Sequence, residues 1–345
     1  MLPQISPRVW SQFAEVWVEA NVPIVPNSVT SWARKALRGC HFVYHKGWST
    51  CTEHGVASWS ALPPEVQHDV DTAVTESQAA ADEGSVNAPR SLSLGHMYLY
   101  GYGVAQSNVK AVQWFTGAAE KDDPEAQCNL ANMLAEGCGV AQSYTEAVKW
   151  AKRAASQGDA NAQYTLATFF RMGLGIAQSE VEAVRWHRQA AEQGHVQGQF
   201  CLGNAFTRGL GAAQSFTEAS KWFRKASDQG DAAAQYTLGI FYYKGFGVEQ
   251  SDGKALRLWT CAASQGHAEV QYRLGNCFEE CRGVKQDEAK AARWYLKAAK
   301  QGQDYAMCCL GSMYKSGHGV TQSDTQAAQW YRGLLLREIK MPCKL

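Results

Sequence analysis

The sequence predicts an all-α protein, an α/α superhelical solenoid of seven 36-residue helix-turn-helix repeats with a helical N-terminal extension. Three observations carry that prediction: a short phrase returns at fixed spacing, the apolar residues between its copies follow a helical rather than a strand period, and paired glycines punctuate each copy. The phrase reads Val104-Ala105-Gln106-Ser107, Val140-Ala141-Gln142-Ser143, Ile176-Ala177-Gln178-Ser179, Ala212-Ala213-Gln214-Ser215, Val248-Glu249-Gln250-Ser251, Val284-Lys285-Gln286-Asp287 and Val320-Thr321-Gln322-Ser323, each 36 residues after the last. A unit this small cannot bury its apolar face alone and must lean on its neighbours. Function in such a stack resides on a surface rather than in a pocket.

Residues 1–85 precede the period. Trp10, Phe13, Val16 and Trp17 lie at helical spacing, a second helix starts near Asn27-Ser28, and a third follows Pro63-Pro64 with Val66, Val70, Ala73 and Val74 on one face. Five of the 12 tryptophans sit in this extension, which suits a helical cap packed on the first repeat. The repeats divide as 86–121, 122–157, 158–193, 194–229, 230–265, 266–301 and 302–337, with 338–345 as a tail.

Residues 124–157 serve as the type unit. Ala126, Leu130, Ala131, Met133 and Leu134 paint one face of a first helix, here the A helix. Gly137 and Gly139 end it, because both tolerate positive φ. The pair recurs in every repeat except at Cys281-Arg282-Gly283. Ser143 opens the second, or B, helix, and Glu146 three residues on completes a reciprocal capping box, repeated as Ser179/Glu182, Ser215/Glu218 and Ser323/Gln326. The B helix buries Ala147, Trp150, Ala151, Ala154 and Ala155, and Gly158 closes it. Folded on the period, Trp150 joins a column of Trp114, Trp186, Trp222, Leu258, Trp294 and Trp330, read as the large ring of each core. In the fifth repeat Trp259 stands one place along, which implies local repacking.

The charge balance is near neutral, with 33 basic and 32 acidic residues, so nucleic acid is not the expected partner. No stretch is long and apolar enough for a membrane span. Eleven cysteines do not occupy the same two columns of each repeat, as a disulfide framework would, and read as reduced thiols. With no apolar signal core at the N-terminus, the expectation is a soluble intracellular protein, cytoplasmic or inside an organelle.

The pattern Ala126-Gln127-x-x-Leu130-x-x-Met133-Leu134, Gly137-x-Gly139-Val140, Ala147-x-x-Trp150, Ala154-Ala155-x-x-Gly158 resembles the Sel-1-like repeat, a relative of the tetratricopeptide repeat. Leu94-Gly95-x-Met97-Tyr98, Leu238-Gly239-x-Phe241-Tyr242 and Leu310-Gly311-x-Met313-Tyr314 match its Leu-Gly-x-Met-Tyr element. The resemblance covers residues 86–337. It implies a non-catalytic scaffold or adaptor that assembles other proteins or peptides along its inner groove, and it brings no catalytic residue and no cofactor.

On the A helices, the positions opposite the apolar face form one stripe that would line this groove. It holds Glu125, Asn129, Asn132 and Glu136, then Asn161, Thr165, Thr168 and Met172, then Gln197, Cys201, Asn204 and Arg208. It continues through Ala233, Thr237, Ile240 and Lys244 to Glu269, Arg273, Asn276 and Glu280. Asn132, Asn204 and Asn276 recur in alternate repeats, where each amide has donors and an acceptor for an extended backbone. At the C-terminal edge, Trp330, Tyr331, Leu334, Leu335 and Leu336 put bulk where other repeats have small residues, which reads either as an end cap or as an edge for self-association or docking.

Other chemistry is thin. Cys40, His41, His45, Cys51 and His54 gather five potential zinc ligands within fifteen residues, but the spacing Cys-x4-His-x5-Cys-x2-His fits no common zinc motif, and no metal is assigned. Ser312-Met313-Tyr314-Lys315 has the Ser-x-x-Lys form without its companion motifs. The alternative function is an enzyme or structural-metal protein whose activity resides in residues 1–85.

Overall fold

The computed structural model describes residues 88–101 and 104–340, with 75 and 79 as isolated helical positions. The helices expected within residues 1–85, and Cys40, His41, His45, Cys51 and His54 among them, lie outside the described residues. Fourteen helices and no strand are found there. The A helices are α1 (Ala88–Tyr100), α3 (Pro124–Glu136), α5 (Ala160–Met172), α7 (Val196–Arg208), α9 (Ala232–Lys244), α11 (Ala268–Glu279) and α13 (Asp304–Ser316). The B helices are α2 (Asn108–Glu120), α4 (Tyr144–Ser156), α6 (Glu180–Glu192), α8 (Phe216–Asp228), α10 (Asp252–Ser264), α12 (Glu288–Lys300) and α14 (Asp324–Lys340). Every helix of each series begins 36 residues after its predecessor, so the period of the sequence is the period of the fold. The chain divides into two units, one ending at Gln178 and one beginning at Ser179, and within each the successive helices pack on one another.

The repeated phrase makes the turn between the two helices of a pair. Gly137 takes φ 71° and closes α3 in the left-handed conformation, as Gly173, Gly209, Gly245 and Gly317 do for their helices. The Gln amide then reaches back to a free carbonyl in the last turn of the A helix: Gln106 donates to Leu99 O, Gln142 to Ala135 O, Gln214 to Thr207 O and Gln250 to Tyr243 O, at 2.7–3.0 Å. Ser143 Oγ accepts from Glu146 N at 3.4 Å and caps α4. The expected capping box is one-sided, however. The Ser143 N–H is already taken by Leu134 O at 2.9 Å, as Ser215 N–H is by Phe206 O, so Glu146 and Glu218 turn outward and pair with Lys149 and Lys221 at 2.7 Å. Gln and Ser of one phrase thus satisfy opposite ends of two helices.

The second glycine does not end the helix. A Cβ at Gly139 would lie 2.3 Å from the Asn108 carbonyl carbon, one at Gly175 2.4 Å from that of Tyr144, and one at Gly247 2.3 Å from that of Phe216. This glycine lets the loop rest directly on the first turn of the preceding B helix, and so joins one repeat to the next.

The tryptophan column is not the centre of the core. Trp114, Trp150, Trp186 and Trp294 are half-buried, while the residue after each, Phe115, Ala151, His187 and Tyr295, is at most 2% exposed. Phe223 and Trp259 take the same deep position after Trp222 and Leu258, and in the last repeat Trp330 and Tyr331 are both half-buried. A helical step of one residue rotates a side chain by about 100°, enough to move it from flank to centre. Trp259 therefore fills the common slot, and no repacking of the fifth repeat is needed. Opposite the slot stands a residue of the A helix sized to fit: a Cβ on Gly95 would meet Phe115 at 2.5 Å, on Gly203 Phe223 at 2.7 Å, on Gly239 Trp259 at 2.2 Å and on Gly275 Tyr295 at 2.3 Å. Where the slot holds Ala151, the A helix carries Ala131, and both are fully buried.

A buried glutamine ladder ties neighbouring repeats. Gln127 donates to Ala119 O of α2 at 3.1 Å and accepts from Gln157 at 3.0 Å. Gln199 does the same with Ala191 O and Gln229, Gln235 with Ser227 O and Gln265, and Gln271 with Ala263 O and Gln301. Both ends of each buried amide are satisfied, which removes the cost of about 1–3 kcal/mol that an unpaired buried polar group carries.

Candidate protein-interaction face

The stripe of the A helices comes out half-buried to exposed in every repeat from the second to the sixth, as an amphipathic helix demands. Its residues fall into two sets. The first set staples neighbouring helices. In the unit ending at Gln178, Asn129 Nδ2 lies 3.1 Å from His96 Nε2, Glu125 lies 3.8 Å from the same ring nitrogen, and Asn132 Oδ1 accepts from Thr165 at 3.3 Å. In the unit from Ser179, Gln197 donates to Asp231 at 3.1 Å, Arg273 Nε to the Tyr236 hydroxyl at 2.8 Å, and Gln303 to Glu269 at 3.1 Å, while Arg273 also pairs with Glu269 at 3.1 Å. Asn276 Oδ1 accepts from the buried Tyr295 hydroxyl at 2.7 Å, and Glu279 accepts from the same hydroxyl. Thr168 and Thr237 hydroxyls return to carbonyls of their own helices. The three recurrent asparagines therefore do not act alike: Asn132 and Asn276 have committed their carbonyls, and Asn204 stays half-buried without a side-chain staple among the described residues.

The second set points to solvent. Glu136, Asn161 and Met172 are exposed in the first unit, and Arg208, Lys244 and Glu280 in the second. Glu280 pairs with Arg282 at 2.7 Å, whereas Arg208 and Lys244 have no carboxylate partner among the described residues. A half-buried aromatic column, Tyr164, Phe200, Tyr236 and Tyr272, flanks the stripe one position before Thr165, Cys201, Thr237 and Arg273. Sequence reasoning passed over it, although the same 36-residue folding that found the tryptophans marks it. Tyr236 stacks on His267 at 5.4 Å and Tyr272 on Tyr305 at 5.9 Å, so these two rings are held in place.

His96 is buried, edge-on to Phe115 at 5.1 Å, and burial lowers its pKa to about 4. Burial pushes the Cys128 thiol up to about 12 and the Cys277 and Cys309 thiols up to about 11, away from the thiolate a nucleophile needs. The eight described cysteines are free thiols. Among the described residues no three His, Cys, Asp or Glu side chains converge as a metal site requires, and no helix is long and apolar enough to cross a membrane. At the C-terminal edge, Trp330 and Leu334 pack against the last core cluster and a Cβ at Gly311 would meet the Tyr331 ring at 2.7 Å, while the Leu335 and Leu336 side chains lie outside the described residues.

No curated protein matches the chain. Among solved structures it is similar to a protective antigen of uropathogenic Escherichia coli displaying an SLR fold, with 30% identity and a TM-score of 0.73, over 92% of this chain. This chain spans 65% of that antigen's length. It is also similar to a Sel1 repeat protein from Oxalobacter formigenes, with 26% identity and a TM-score of 0.59, over 79% of this chain and 98% of that one. The Sel1 repeat model matches seven times, at residues 92–123, 124–159, 160–195, 196–231, 232–267, 268–303 and 304–332. With repeats over most of its length and the helix pairs to match, the chain belongs to the Sel1 repeat family.

Proposed function

We propose that this chain is a non-catalytic scaffold or adaptor that assembles a protein complex by binding a protein or peptide across the outward positions of its A helices. The observation that carries this reading is the division within the stripe. Residues that build the repeat recur in kind, whereas Glu136, Met172, Arg208 and Lys244, on equivalent positions of consecutive A helices, differ in charge and size. A stack held by recurring glycine, glutamine and serine leaves those positions open to tailoring without loss of fold. Rigid aromatic neighbours add contact area with little ordering cost, as interfaces favour.

Site-specific photocrosslinking of the full chain in its own cells tests the proposal. A crosslinking amino acid at Asn204 or Thr237 is expected to give a discrete protein adduct, and the same residue at Arg185 or Lys221, on the B helices α6 and α8, is not. Adducts confined to α6 and α8 would move the binding surface off the A helices. The inward packing of Trp330, Tyr331 and Leu334 favours the end-cap reading of the C-terminal edge, so Leu334→Ser is expected to lower stability without changing the oligomeric state in sedimentation.

A further inference from the structure

Beyond their first turns, the B helices α10 and α12 carry charge of one sign. On α10 and α12, Lys254, Arg257, Lys290, Arg293, Lys297 and Lys300 are all exposed, and Arg332 is exposed on α14. On α10 and α12 the carboxylates are confined to the first turn, at Asp252 and Glu288, with Asp287 as the cap of α12, whereas α14 carries Asp324 at its start and Glu338 near its end. The B helices α6 and α8 differ, because Glu192 and Asp228 stand in their last turns. Of the six cations, Lys290 alone makes an ion pair among the described residues, at 3.0 Å with Asp287, and Lys297 lies 4.3 Å from the Trp294 ring centre. The register between the two helices is fixed at both ends. Gly283 rests on the first residue of α10, and Gln301 at the end of α12 reaches the carbonyl of Ala263 through Gln271.

We infer that this face is a second docking surface, distinct from the A helices, for an acidic segment of a partner protein. Charge complementarity names the occupant. With α11 packed on both α10 and α12 and their register fixed, the cations form a preformed row, so a segment with repeated carboxylates gains several charge pairs at little ordering cost. A long polyanion such as nucleic acid suits it less: the chain as a whole is only +1, and α11 of the same repeats carries Glu269 and Glu279, with Glu280 as its C-cap. A membrane suits it less as well, because among the described side chains none of the exposed large apolar ones lies on α10 or α12 to enter a bilayer.

The test uses the full chain and a fluorescein-labelled peptide of about twelve residues, two Glu to each Leu, with the matching Lys peptide as control, read by fluorescence anisotropy at about 50 mM and about 300 mM salt. The Glu peptide is expected to bind, to weaken with salt, and to lose at least about tenfold in affinity in Arg257→Glu/Arg293→Glu/Lys297→Glu. Arg185→Glu/Lys221→Glu, on α6 and α8, should change binding little, and an unchanged melting curve excludes unfolding of either variant. Arg208→Glu/Lys244→Glu on the A helices should also leave it intact, which separates this surface from the scaffold face. Absence of Glu-peptide binding at low salt, equal loss in the α6 and α8 variant, or tighter binding to phosphatidylserine vesicles or to a short DNA duplex than to the peptide would overturn the inference.

Discussion

Cys281 takes φ 58° at the helix-ending position where the other six repeats have glycine. A Cβ in that conformation costs about 1–2 kcal/mol. Cys281→Gly is therefore expected to stabilise the chain by about 1 kcal/mol in chemical denaturation, and Cys281→Ala, which keeps the Cβ, by nothing. His267 opens α11 without a side-chain cap, at the position where Asp231 caps α9 at 2.7 Å. His267→Asp should add about 1 kcal/mol by the same measurement. His96 sets a pH dependence. Its pKa falls from 6.5 to about 4 on burial, so below pH 6.5 the unfolded chain takes up a proton that the folded chain refuses. Stability is complete above the unfolded pKa, declines as pH drops through this window, and has lost about 3 kcal/mol near pH 4. Denaturation midpoints of His96→Gln should show a flatter slope across the same range.

At the scale of the helix pair, fit between residues on facing helices decides stability. Gly203→Ala pushes a methyl into Phe223 and should cost about 1–3 kcal/mol, while Phe223→Ala empties the slot and should cost about 3–5 kcal/mol. The double variant recreates the Ala131/Ala151 arrangement, so its cost is expected to fall short of the sum by at least about 1 kcal/mol in a double-mutant cycle. Strict additivity would show that the two positions do not meet. The helices themselves were legible because the 3.6-residue period, the Ser caps and the helix-ending glycines act locally. The slot was not. Trp150 and Ala151 are both consistent with a buried helix face, and only the facing helix decides which one reaches the centre. The capping box failed for a similar reason: Glu146 has the right spacing to reach back, but Leu134, across the turn, already holds the hydrogen bond it would make.

Across the whole molecule, the A-helix stripe was readable as a surface, since opposite faces of an amphipathic helix follow from periodicity alone. Which stripe residues remain available was not, because Asn129, Gln197, Glu269 and Arg273 find partners about one repeat away, at residues whose approach depends on packing. The basic band escaped notice for another reason: net charge averages over faces that the fold separates. Repeat arrays diversify by exchanging repeats, and the pairing of slot and facing residue says where exchange is tolerated. The contacts between repeats, a glutamine on a carbonyl and a bare glycine on a helix end, are chemically the same at most joints, so almost any copy can follow another. The contact within a pair differs from copy to copy: glycine against a ring in one, alanine against alanine in another. Hybrid arrays joined at the turn after a B helix should therefore fold, whereas hybrids joined inside the Gln-Ser turn bring together halves that collide or leave a void, so recombination within this family is expected to respect one of its two turns and not the other.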